Sequence, residues 1–162
     1  MSLFTAITIL AVGLLQGTPA KPAPVATKHT TVLFICPHGA AKSVLASAYF
    51  KQLARERGLN VQVDAVGTDP DPSVSKVVTE HLQKNGYEIP VTKPRAVTAN
   101  DVKAADVVIS LGCDVSRLPA TPRTLEKWDE VPPPGEDFKA ADDAIRRRVM
   151  ALVEELVARQ AK

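Results

Sequence analysis

From Thr31 onward, short apolar runs alternate with stretches in which apolar residues recur every three or four positions. TVLFIC (31–36) is a continuous apolar, β-rich run of the kind buried on both faces in a parallel sheet. The next segment sets Leu45/Ala46, Tyr49/Phe50 and Leu53/Ala54 at helical spacing and stops at Gly58, which predicts an amphipathic helix with a glycine end. VQVDAVG (61–67) predicts a second strand. Val74, Val77/Val78 and Leu82 mark one face of a second helix, closed by Asn85-Gly86. A short helix is expected near Ala99 to Ala104, a third buried strand in ADVVISLG (105–112) and a weaker fourth in TLEKWD (124–129). Ala141, Ile145, Val149, Leu152 and Leu156 then space out a long terminal helix.

Alternation of strands and helices predicts an α/β fold, a parallel sheet with helices on both faces. Ligands in such folds sit beyond the carboxyl ends of the strands. The turn CPHGAAKS (36–43) therefore lies where a site belongs.

The segment before Thr31 has a different character. Residues 1–20 carry no charged side chain, Leu3 to Leu15 form a short apolar run, and Thr18-Pro19-Ala20 resembles a small-residue cleavage site. The run is short for a membrane span. The expected organisation is a signal peptide at 1–20, a Pro/Ala linker at 21–30 and one domain at 31–160. That implies a secreted or periplasmic protein with no stable membrane insertion after cleavage, or a membrane-anchored or cytoplasmic one without it.

A net charge of +2 and only 4% aromatic residues offer neither the field nor the stacking platform that nucleic acid needs. The two cysteines, Cys36 and Cys113, are too few for a disulfide framework. No His/Cys/carboxylate cluster has zinc-ligand spacing. His29 falls in the linker, His81 beside the apolar face of the second helix, and Arg146, Arg147 and Arg148 on the wet flank of the last.

A loop between a buried strand and a helix start exposes unpaired N–H groups that, with the helix dipole, suit an anion. Gly39 permits a positive φ, letting the amides of Pro37-His38-Gly39-Ala40-Ala41-Lys42 curl together (Pro37 itself contributes no N–H). Cys36 at the mouth shares the positive field with Lys42, and Ser43 is placed to donate to its thiolate. Such a sulfur attacks a bound phosphate or arsenate in line. GAAKS also echoes the end of the nucleotide-binding G-x-x-x-x-G-K-[ST], but the required glycines would fall at Cys36 and Ala41, which excludes it.

Cys-x5-Lys-Ser after the first strand resembles the C-x5-R-S of the low-molecular-weight protein tyrosine phosphatases and of the arsenate reductases that share their fold. DAVGTDP, VTANDVKAADVVISLG and the helix after WDEVPPPGEDF extend the likeness over about Thr31 to Arg159. The resemblance implies a three-layer fold with a four-stranded parallel sheet, Cys36 as nucleophile and no cofactor. It implies a phosphomonoester substrate, phosphotyrosine among them, or arsenate reduction through Cys36 and Cys113 with a thiol reductant.

Departures from the family matter. Lys42 replaces an arginine, substituting a point charge for a planar fork. His38-Gly39 stands where the family has Gly-Asn, adding a titratable donor near the anion. The family's proton-donating aspartate, before a proline, aligns near Pro133; Asp129 is the favoured substitute, with Glu130, Glu136 and Asp137 close by. Leu118-Pro119 occupies the place of the third cysteine of thioredoxin-linked reductases, and Trp128 also resembles them. A catalytically impaired oxyanion-binding or redox-responsive module is therefore the remaining class.

Overall fold

The structure, a computed structural model, describes residues 29–160; the expected signal peptide and most of the expected linker lie outside them. Four strands, β1 (Thr30–Cys36), β2 (Val61–Gly67), β3 (Val107–Ser110) and β4 (Leu125–Lys127), form a parallel sheet in the order β2-β1-β3-β4. β1 thus begins at Thr30, inside the expected linker. The helices are α1 (Lys42–Glu56), α2 (Lys76–Lys84), α3 (Ala99–Ala104) and α4 (Phe138–Gln160).

Side-chain alternation along the strands makes three layers. Val32, Phe34 and Cys36 of β1 face one core with Ala65, Val107 and Ile109, covered by Val44, Leu45 and Ala48 of α1 and Ile145, Val149 and Leu152 of α4. Leu33 and Ile35 point the other way, into a smaller cluster with Val66, Val102, Ala105 and Val108 under α3. A strand apolar on both faces reads as an unbroken run, which is why TVLFIC does not alternate.

The terminal helix buries all five residues of its expected stripe. Two readings need correction. Val77 does not share the buried face of α2: it is 57% exposed, while Val78 and Leu82 are fully buried, because a nine-residue helix docks through one narrow i, i+4 seam. Arg146 is not on the wet flank of α4. Its Nε donates to Asp142 at 2.9 Å, its Nη1 to the Tyr87 hydroxyl at 2.8 Å, and its guanidinium lies 4.0 Å from the Tyr49 ring centroid. His81 joins the same cluster, its Nε2 3.0 Å from the Tyr49 hydroxyl. Burial, then the Asp142 carboxylate to which the Tyr49 hydroxyl donates, pushes the Tyr49 phenol well above its usual range.

The chain moves outward from β1 to β2 on one side, then crosses to β3 and β4 on the other. The direction of winding switches at β1, so its carboxyl end opens onto a crevice. Cys36 ends that strand.

Candidate active site

The loop from Pro37 to Ala41 is held from outside by main-chain bonds. The carbonyls of Cys36, Pro37, His38 and Ala40 accept from the amides of Thr68, Asp69, Asp71 and Ser75, at 3.3, 2.8, 3.0 and 2.9 Å. Turning these carbonyls outward turns loop amides inward. The amides of Ala40, Ala41, Lys42 and Ser43 have no acceptor among the described residues. Ala41 caps α1 without a side-chain hydrogen bond, so no side chain competes for the helix start. Gly39 takes a φ of +61°, as its place in the loop requires.

Cys36 faces into this ring. Its sulfur accepts from the Gly39 amide at 3.2 Å and lies 3.2 Å from the Ser43 hydroxyl, with both side chains buried. The expected pairing of cysteine and serine is present. Asp142 is buried too, but among α1, α2 and α4 rather than here.

Lys42 reaches across the crevice instead of curling over the loop. Its Nζ donates to the Val131 carbonyl at 3.3 Å and lies 3.0 Å from where a Cβ on Gly112 would stand. Cys113 is half-buried just beyond, its amide donating to Ser110 Oγ at 3.3 Å. Burial pushes its thiol up to about 11; the nearby Cys36 adds to the rise, and Ser110 and Lys42 oppose it. Cys36, Lys42 and Cys113 are therefore brought together, and each acts electrostatically on the third.

The acidic substitutes share no hydrogen bond or ion pair with Cys36 or Lys42 among the described residues. Asp129 is exposed and has no hydrogen bond or ion pair among the described residues. Glu130 is held below the usual carboxylate range by Arg148, 2.5 Å away. Asp137 accepts from the Ala140 amide in the first turn of α4, and Glu136 is exposed. From this segment it is Val131, side chain buried, that meets the site, through its carbonyl. Trp128 is core, 1% exposed and 5.8 Å from the Phe34 ring.

His38 turns its ring to Asp71, with Nδ1 3.2 Å from Oδ1. Asp71 escaped the sequence reading and Gly67 entered it only within DAVGTDP, since nothing in their spacing marks them as neighbours of residues 36–41.

A family model, low molecular weight phosphotyrosine protein phosphatase, matches residues 31–161. The chain belongs to this family. Low-molecular-weight phosphatase relatives and arsenate reductases both stand among its structural neighbours. A Corynebacterium glutamicum thioredoxin-dependent arsenate reductase superposes with a TM-score of 0.69 at 28% identity, covering 81% of this chain and 63% of that one. The chain thus spans less than two thirds of that protein. An Archaeoglobus fulgidus arsenate reductase gives a TM-score of 0.59 at 26% identity, over 76% of this chain and 98% of its own. A low molecular weight phosphotyrosine phosphatase from Vibrio cholerae gives 0.70 at 23% identity, over 79% and 97%, and speaks for the fold alone.

Proposed function

We propose that the chain is a cysteine-dependent phosphatase that hydrolyses phosphomonoesters through a phosphocysteine on Cys36. The observation that carries this reading is the sulfur of Cys36 set 3.2 Å from both the Gly39 amide and the Ser43 hydroxyl, inside a ring of loop amides free of internal acceptors. Those amides and Lys42 would bind the equatorial oxygens, whose charge grows toward the transition state. Sulfur attacks phosphorus in line, the P–O bond to the leaving group breaks, and water then cleaves the S–P bond to release phosphate. Ser43 would stabilise the departing sulfur.

The test is hydrolysis of p-nitrophenyl phosphate alongside arsenate reduction by the wild type and Cys36→Ser. Ester hydrolysis by the wild type alone, with phosphate binding kept in Cys36→Ser, supports the reading. A wild type that binds phosphate but turns over neither substrate makes it a binding module.

Cys113 favours a second reading, arsenate reduction. Cys36 would displace water from arsenate; Cys113 would then attack the Cys36 sulfur, forming S–S while arsenic(V) leaves as arsenite and two thiols are oxidised. An external dithiol must reduce that disulfide. A Cys113 thiol pushed up to about 11 is a reluctant nucleophile near neutral pH, which places this reading second.

Export with cleavage after Ala20 is supported by the uncharged apolar start. Among the described residues no helix is long and apolar enough to cross a membrane. N-terminal sequencing of the native protein tests the cleavage.

A further inference from the structure

A phosphatase that releases a poor leaving group must protonate it, and among the described residues no carboxylate of the β4–α4 connection shares a hydrogen bond with Cys36 or its loop. A titratable pair does stand on the rim of the loop. His38 lies two positions after Cys36 in the chain, directly before the glycine whose amide meets the sulfur. It touches Asp71 twice: its carbonyl accepts from the Asp71 amide at 3.0 Å, and its Nδ1 is 3.2 Å from Asp71 Oδ1. The first contact fixes the backbone and the second fixes the ring.

A carboxylate on Nδ1 selects the tautomer with hydrogen on that nitrogen and fixes the ring's orientation. Nε2, on the opposite edge of the ring, is left with no partner among the described residues, and the side chain is 63% exposed. The pair belongs to the rim, since the same main-chain bond that joins His38 to Asp71 helps turn the loop amides inward.

We infer that His38, oriented by Asp71, is the proton donor and acceptor of the reaction, the part taken elsewhere by a carboxylate. The inference rests on the phosphatase reading. In the first step the Cys36 thiolate attacks phosphorus, the P–O electron pair moves to the leaving oxygen, and Nε2–H of the imidazolium protonates it. In the second step neutral Nε2 takes a proton from the attacking water, the S–P bond breaks, and thiolate, imidazolium and inorganic phosphate are restored. Charged or titratable groups on the elements packed against the loop are Cys36, Lys42 on α1, Asp69 and Asp71 on the β2–α2 connection, Lys76 at the start of α2, and Cys113 after β3. Of these, Asp71 is the one paired with the ring.

The test compares kcat/KM for phenyl phosphate and p-nitrophenyl phosphate across pH in wild type, His38→Gln and Asp71→Asn. His38→Gln should lose about 100-fold on phenyl phosphate, within the range of general acid catalysis, and less than about 10-fold on the activated ester. The wild-type fall in rate with rising pH, where the imidazolium loses its proton, should vanish in His38→Gln and persist in Asp71→Asn at a reduced rate. Equal losses on both esters, no loss on either, or an unchanged alkaline limb in His38→Gln would overturn the inference. Trapping of phosphocysteine separates the two readings. Wild type that never phosphorylates Cys36 overturns the phosphatase and this assignment together; phosphorylation with unselective losses overturns only the assignment.

Discussion

Gly39 and Gly67 meet backbone to backbone: a Cβ added to either would come within 2.7 Å of the main-chain nitrogen of the other. Gly39 belongs to the loop after Cys36 and Gly67 closes β2, where its own amide and carbonyl pair with Arg95 and Val97. Neither partner is a flexible side chain, so the crowding cannot be relieved without moving the loop. Gly67 has an ordinary φ, so the cost of a side chain there is steric alone. Gly67→Ala is expected to lower stability by about 2 kcal/mol, and to abolish phosphate binding. Denaturant midpoints and phosphate titration measure the two effects.

Lys42 supplies a point charge that leans toward the Val131 carbonyl, 3.3 Å away. An arginine would present two N–H groups to two oxygens at once. Lys42→Arg should therefore raise kcat/KM on phosphomonoesters by about 10- to 100-fold, the scale of one well-placed donor. Unchanged or slower turnover in steady-state kinetics would mean that lysine is not simply a weaker arginine here.

Arg146 neutralises Asp142, a carboxylate 9% exposed between α1 and α4. Removing the guanidinium leaves that charge buried beside the Tyr49 hydroxyl. Arg146→Met should cost about 2–3 kcal/mol of stability, while leaving kcat close to wild type because the cluster shares no hydrogen bond with the loop. Urea unfolding with parallel kinetics checks both.

Cys113 gives a pH-dependent signature. Its thiol is raised in the fold from the ordinary 9.0 to about 11, so the neutral form is favoured. The associated stability is complete below pH 9 and is lost as pH climbs through about 11. In Cys36→Ser protein, where the Cys36 contribution is gone and burial still raises the thiol, iodoacetamide should label Cys113 more slowly at pH 8 than a free model thiol, with the rate climbing as pH rises. Rapid labelling at pH 8 would raise the reductase reading to first place.

Asp101 contributes to the acid limb. Arg95, then Thr98, hold its carboxyl down at about 2 against an ordinary 3.8. Stability from this contact is complete above pH 3.8 and is lost as pH falls through about 2. Asp101→Asn should flatten the stability curve over that interval in acid-unfolding experiments.

Elements with one dominant period were readable from the chain alone. TVLFIC is buried on both faces, and the stripe from Ala141 to Leu156 is buried along its whole length. Cys36, Ser43 and Gly39 were legible because strand end, loop and helix start are contiguous, so sequence neighbours are also spatial neighbours. What stayed hidden depends on contacts between distant segments. Asp71 and Gly67 reach the loop only through the pairing of β1 with β2. Val131 reaches Lys42 across 89 positions, and nothing about a valine advertises its carbonyl. Arg146 was misplaced because a long cationic side chain looks solvated until aromatic rings and a carboxylate are found beneath it. Even β4 shrank to Leu125–Lys127, with Trp128 turning into the core, since an edge strand has one neighbour to define it.

The loop after Cys36 is tethered to the segment from Thr68 to Ser75 through main-chain amides, which any residue except proline can supply. Grip and choice are consequently separable. Apart from Asp71, which holds the His38 ring, and Thr68, whose hydroxyl also reaches the Pro37 carbonyl, the side chains of that segment are free to diversify, by evolution or by engineering, while the loop itself keeps its shape.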